Sequence, residues 1–203
     1  MSSCRTCRLK LLENDDLVEA KLIDELTKEE LIRAHLQWAP VRNEALTRLL
    51  DARLRVPEHW NWDWSNKAGK LDLLAYRCMG IEHGGCMQGL MMLSTLAVEG
   101  RLEGQVGKAV LYVEYIESAP WNNIELVEKP QFAGVGVSLL EAAIEFSEKE
   151  GFGGRIGLHS LRQAEPYYRK YMTDLGPDSG ESELRYFEMS ADQMHYFLEG
   201  RKR

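Results

Sequence analysis

Residues 131–136 read Gln-Phe-Ala-Gly-Val-Gly and stand directly before an apolar stripe of helical period. Gly134 and Gly136 leave two positions without side chains, so a ligand can come close to the backbone there. The first amide groups of the following helix point outward with the positive end of its dipole behind them, which suits a phosphate or pyrophosphate. A tight turn without a ligand is the competing reading of the glycines alone. No Gly-Lys-Ser/Thr triplet ends the run, so it is not a Walker A loop. Leu139 stands where a dinucleotide fingerprint needs its third glycine.

Two other groups have suggestive spacing. Cys4 and Cys7 are spaced like metal ligands, but the remaining cysteines, Cys78 and Cys86, lie in apolar, strand-like sequence. These four read as thiols at a frayed N-terminus and in the core, and no metal is expected. Trp60, Trp62 and Trp64 alternate as along one face of an extended segment. They either cover a core edge or wall a substrate site.

The chain carries 32 acidic against 25 basic side chains, a net charge of −7. Non-specific binding of nucleic acid needs a basic footprint, so no nucleic-acid partner is expected. The excess of carboxylates favours a cationic substrate such as an amine. No apolar run approaches the roughly 20 residues that span a bilayer. The N-terminus also lacks the apolar stretch of a signal peptide, so a cytoplasmic protein with reduced thiols and no membrane partner is expected.

Elements must hold these groups in place. Asp15 or Asp16 caps a helix within 14–34 that carries Leu17, Val18, Leu22, Ile23 and Leu26. Thr27 and Glu30 form a capping box that opens a second helix, which Pro40 interrupts. Another helix runs through Ala45, Leu46, Leu49, Leu50 and Leu54. The apolar runs 71–81 and 88–97 flank Glu82-His83-Gly84-Gly85 and predict an antiparallel hairpin with His83 exposed in its turn. Residues 109–116 are the strongest strand, and 137–149 an amphipathic helix that Gly151 ends. A strand over 156–160, a helix over 165–172, a strand over 184–189 and a helical tail over 191–198 follow. The strand–helix–strand unit 109–160 predicts two parallel neighbouring strands, and the earlier hairpin makes the sheet mixed. The expected class is α/β, with 1–66 a helical N-terminal region packed on a core of 67–203.

In that order of elements, residues 109–189 resemble the GNAT superfamily, the Gcn5-related N-acetyltransferases. That family opens its third helix with Gln/Arg-x-x-Gly-x-Gly/Ala, which Gln131, Gly134 and Gly136 match. It continues with a strand and an Ala-x-x-aromatic-Tyr element, here Ala164-Glu165-Pro166-Tyr167-Tyr168. The strand ending Ile116-Glu117-Ser118-Ala119-Pro120 resembles its fourth strand. The chain departs from the pattern at His159, Ser160 and Leu161, where an Asn commonly follows the fifth strand, in the long link from Pro120 to Gln131, and in its N-terminal region.

The resemblance implies a mostly antiparallel sheet with one splayed parallel pair, flanked by helices. It also implies direct transfer of acetyl from acetyl-CoA to an amine acceptor, a small molecule or a protein. The pyrophosphate would lie on Gln131, Phe132, Ala133, Gly134, Val135 and Gly136, the pantetheine arm against Ile116 and Ser118, and Ser160 would add a contact. Tyr168 falls where the family keeps the acid that protonates the departing thiolate, with Tyr167 and Tyr171 as fallbacks. A protonated amine needs a base. Glu114 and Glu117 point to opposite faces of their strand, so only one can serve, and Glu114 is preferred. His159 is a second candidate. A GNAT-fold module that holds acyl-CoA without turnover is the alternative function, and a zinc-dependent interaction protein using Cys4 and Cys7 a third. The helical N-terminal region and the tryptophan segment either select the acceptor or build a homodimer interface.

Overall fold

The computed structural model describes residues 4–180 and 183–201. Residues 4–23 form a β-hairpin rather than part of a helix. β1 (Cys4–Leu11) and β2 (Leu17–Ile23) pair antiparallel, from Cys4 opposite Ile23 to Lys10 opposite Leu17. Val18, Ala20 and Leu22 turn inward while Leu17, Glu19 and Lys21 face out, a period of two that outranks the helical spacing of the same residues. Asp15 and Asp16 sit in the hairpin loop, where Asp15 has φ of 64° and the Asn14 side chain accepts from the Asp16 amide. The alternation also sends Cys4 and Cys7 to opposite faces of β1, Cys4 exposed and Cys7 half-buried.

Helix in the N-terminal region begins at α1 (Lys28–Asp51), and residues 52–63 after it are turns and loop. Its capping box is formed, with Thr27 Oγ1 accepting from the Glu30 amide at 3.2 Å and Glu30 Oε2 from the Thr27 amide at 2.8 Å. Pro40 lies inside α1 without ending it. A proline in a helix interior costs roughly 3 kcal/mol. Here one buried face, Leu31, Ala34, Trp38, Arg42, Ala45 and Leu49, runs unbroken past it. The Trp38 indole donates to the Met87 carbonyl at 2.8 Å and Arg48 to the Leu126 carbonyl at 2.7 Å, so packing and tethers hold both sides of the proline.

The other strands are β3 (Tyr76–His83), β4 (Cys86–Glu99), β5 (Ala109–Ser118), β6 (Phe132–Ala133), β7 (Ile156–Ser160), β8 (Thr173–Pro177) and β9 (Arg185–Glu188). The other helices are α2 (Trp64–Lys67), α3 (Val135–Lys149), α4 (Glu165–Tyr168) and α5 (Ala191–Arg201). The chain divides into two compact units, Met1–Met92 with Tyr115–Leu139, and Leu93–Glu114 with Leu140–Arg203. Among the described residues no helix is long and apolar enough to cross a membrane.

In the first unit the strand order is β6-β1-β2-β3-β4. Gly84 and Gly85, at φ of 62° and 80°, make the tight turn between β3 and β4. His83 is half-buried beside that turn rather than exposed, its Nδ1 donating to the Glu19 carbonyl at 2.9 Å. Leu31, Trp38, Trp64, Cys78, Leu90 and Met92 lie in the core of this unit. In the second unit the order is β4-β5-β7-β9-β8. β5 and β7 run parallel, as the strand–helix–strand pattern predicts, with Leu111 opposite Ile156 and Tyr112 opposite Gly157. β7, β9 and β8 are antiparallel neighbours. The expected mixed, mostly antiparallel sheet with one parallel pair and flanking helices is the fold observed. β8 was not expected: Thr-Asp-Leu-Gly-Pro carries a glycine and a proline, which an edge strand tolerates. The helix expected over 165–172 is a single turn ending at Tyr168.

Candidate active site

In the first unit, Gly134 has φ of 92°, a conformation that only glycine adopts without strain. It turns the chain from β6 into α3. The first intrahelical bond runs from the Ser138 amide to the Gly134 carbonyl at 2.9 Å. The amides of Val135, Gly136 and Val137 precede that bond and face the helix's N-terminal end. The loop is held from behind. The Gln131 amide donates to the Trp121 carbonyl at 3.0 Å, and the Phe132 amide to Asn122 Oδ1 at 3.0 Å. Trp121 and Asn122 in turn donate to Oε1 of buried Gln88, at 2.8 and 3.0 Å. The long link after Pro120 is thus tied to β4. A Cβ on Gly89 of β4 would stand 2.4 Å from Val135 Cγ1, so α3 starts hard against that strand. Val135 and Phe132 are buried, Ala133, Gly134 and Gly136 half-buried, and Gln131 exposed.

Of the β5 residues, Ile116 and Ser118 are half-buried, and the two carboxylates have different fates. Glu117 is buried in the first unit. Its Oε1 accepts from Arg42 Nη2 and its Oε2 from Trp64 Nε1, both at 2.6 Å, and His59 Nε2 lies 3.7 Å away. Burial pushes the Glu117 carboxyl up to about 7, against the opposite pull of Arg42 and Trp64. Burial draws His59 down to about 4, and Arg42 adds to that. Trp62 stacks edge-on to Tyr115, and the Lys67 ammonium sits 4.2 Å from the Tyr115 ring centre and 5.1 Å from that of Trp62. Trp60 is exposed and Trp64 fully buried, so the three tryptophans do not share one extended face.

Glu114 belongs to the second unit and lines a cavity of about 440 Å³ together with Ser94, Leu96, Arg101, Tyr112, His159 and Asp178. Backbone pairing of β5 with β7 ends at Tyr112 and Gly157, whereas β7 stays paired to β9 through Ser160. Beyond that fork a side-chain pair connects the strands, Tyr112 Oη to His159 Nδ1 at 2.7 Å. His159 Nε2 lies 3.1 Å from Asp178 Oδ2, and Arg101 donates to the same oxygen at 2.6 Å. Arg101, the Gly180 amide and His159 hold the Asp178 carboxyl at about 2. Tyr168 closes α4, buried against Phe187 and Tyr167, and burial raises its hydroxyl pKa. The hydroxyl of buried Ser160 donates to the Leu161 carbonyl at 2.8 Å.

The partners of Glu117 could not be read in advance, because Arg42, His59 and Trp64 are far from it in the chain. Tyr112 had a signal: it stands two residues before Glu114, on the same strand face. Asp178 had none.

No protein-family model matches the sequence. No curated relative matches it either. Among solved structures, the chain is similar to a bacterial toxin, with 11% identity, 98% of this chain and 97% of that one covered, and a TM-score of 0.57. It is also similar to RimJ of Mycobacterium smegmatis in complex with CoA-disulfide, with 11% identity, 100% and 96% covered, and a TM-score of 0.55. The GNAT domain of S. lividans PAT follows, with 13% identity, 91% and 96% covered, and a TM-score of 0.52. At such identities the likeness is one of fold, and that fold is the GNAT fold.

Proposed function

We propose that this chain is an acyl-CoA-dependent N-acyltransferase of the GNAT superfamily that moves acetyl from acetyl-CoA to an amine. The observation that carries the reading is the left-handed turn at Gly134, which presents the amides of Val135, Gly136 and Val137 at the start of a long helix. Fixed donors backed by a helix dipole fit a pyrophosphate, and the ties through Gln88 and Asn122 keep them in position without further ordering. The pantetheine arm would follow the backbone at Ile116 and Ser118. Ser160 would contribute through its backbone, its hydroxyl being engaged by Leu161.

In this reaction the amine nitrogen attacks the thioester carbonyl, the C–S bond breaks and the thiolate takes a proton from Tyr168. Burial keeps the Tyr168 phenol protonated, so the proton is in place, while the same raised pKa makes it a weaker acid than a solvated phenol. Of the two β5 carboxylates, we assign the acceptor side to Glu114 because it lines the cavity, whereas Glu117 is enclosed by Arg42 and Trp64. That sequestration of Glu117 also favours the second reading, a module that binds acyl-CoA without turnover.

Calorimetric titration with acetyl-CoA tests the proposal. We expect micromolar binding, and Gly134→Asp should abolish it by adding strain, bulk and negative charge. No binding by the unaltered chain rejects the reading. Binding without thiol release on any amine leaves only the module.

A further inference from the structure

The second unit holds an arrangement of side chains that the roles assigned to Tyr168 and the β5 carboxylates do not use. Asp178 accepts but cannot donate, so His159 Nε2 must carry the proton between them, and Nδ1 of the neutral ring then accepts from the Tyr112 hydroxyl. The order Asp178, His159, Tyr112 is that of an oriented imidazole activating a hydroxyl. Arg101 fixes the far end, and buried Glu188 fixes Arg101 by accepting from its amide at 2.8 Å. The hydroxyl end opens on the cavity lined by Leu96, Val98 and Glu114, which offers apolar surface and an anion side by side.

We propose that this cavity binds the acceptor as a primary ammonium, held by Glu114, and that the Tyr112–His159–Asp178 relay removes its proton. This rests on the N-acyltransferase reading. The ammonium N–H proton passes to Tyr112 Oη as the Tyr112 O–H proton passes to His159 Nδ1. The free amine and an imidazolium beside anionic Asp178 result, and no co-reactant is needed. The charged and titratable groups facing His159 are Tyr112 and Glu114 from β5, Arg101 from the loop after β4, Asp178 from the segment after β8, and Tyr186 from β9.

Phenethylamine is the probe, and 2-phenylethanol its uncharged counterpart. In NMR titrations of the whole chain, the His159 ring signals should move with the amine, and the alcohol should bind at least about tenfold more weakly. Equal responses, or none, overturn the proposal. With acetyl-CoA and phenethylamine, kcat should be flat between about pH 7 and 9. In Tyr112→Phe and His159→Gln it should fall about 100-fold at pH 7 and then climb about tenfold per pH unit, because free amine must form without the relay. Glu114→Gln should raise KM for the amine about tenfold or more, and an unchanged KM overturns its role in holding the ammonium. Absent turnover, or variant profiles that keep the flat shape, overturn the relay. Calorimetry with acetyl-CoA separates the two readings. CoA binding without an amine response rejects this inference alone, and an amine response without CoA binding rejects the acyltransferase.

Discussion

Glu117 and His59 are neighbours whose protons respond to folding in opposite directions. The Glu117 carboxyl rises from 4.5 to about 7 on folding, so between those values the folded chain keeps a proton that the unfolded chain has lost, and this group's contribution to stability falls as pH rises. His59 drops from 6.5 to about 4, so over that window the unfolded chain holds the extra proton, and its contribution to stability rises with pH. The two slopes oppose each other between about pH 4.5 and 6.5. Urea unfolding across this range should show stability climbing with pH in Glu117→Gln and falling with pH in His59→Gln, each relative to the unaltered chain. Identical slopes in all three proteins would reject the coupling. Arg42→Met removes one partner of a buried ion pair and should cost about 3–5 kcal/mol in the same assay. At Tyr168 the expectation is kinetic: Tyr168→Phe should lower kcat about 100-fold with KM for acetyl-CoA little changed, read by thiol release.

Among the elements, α3 depends on β4 for its starting point. Gly89 lets Val135 and Leu139 come close to that strand, and Val135 is β-branched and cannot swing away. Gly89→Val should therefore lift the first turn of α3 and weaken acetyl-CoA binding about tenfold or more, with a fall in melting temperature. Gly69→Ala, where an added Cβ meets nothing within 4 Å, is the control and should leave affinity unchanged. α1 shows the same logic with opposite outcome. Pro40 argued for a break, yet Trp38 and Arg42 are anchored on its two sides, and a helix with six buried positions outlasts one missing hydrogen bond.

At the scale of the whole molecule, the two compact units interleave along the chain. β4, β5 and α3 each begin in one unit and end in the other, so neither unit can unfold without breaking all three. Thermal unfolding should give a single transition, with calorimetric and van't Hoff enthalpies equal. Acetyl-CoA at about 100 times its Kd should add about 2.7 kcal/mol of stability, raising the melting temperature by several degrees. Two separated transitions, of which one responds to acetyl-CoA, would show that the units unfold independently.

Neighbouring residues are enough to place the Thr27–Glu30 box, the Gly84-Gly85 turn, the parallel β5–β7 crossover and the loop of residues 131–136. Each is a local preference of backbone or cap that survives in the fold. Long-range packing settles the places where local signals compete. Residues 14–23 carry apolar spacing compatible with a helix, and pairing with β1 and β3 made them a strand. Pro40 lost to packing along α1. Glu114 was preferred over Glu117 by sequence, but it took Arg42 and Trp64, distant in sequence, to enclose Glu117, while Glu114 lines a cavity. The His159 partnership with Tyr112 and Asp178 likewise exists only because three separate segments converge, and no spacing within one chain segment encodes such a meeting.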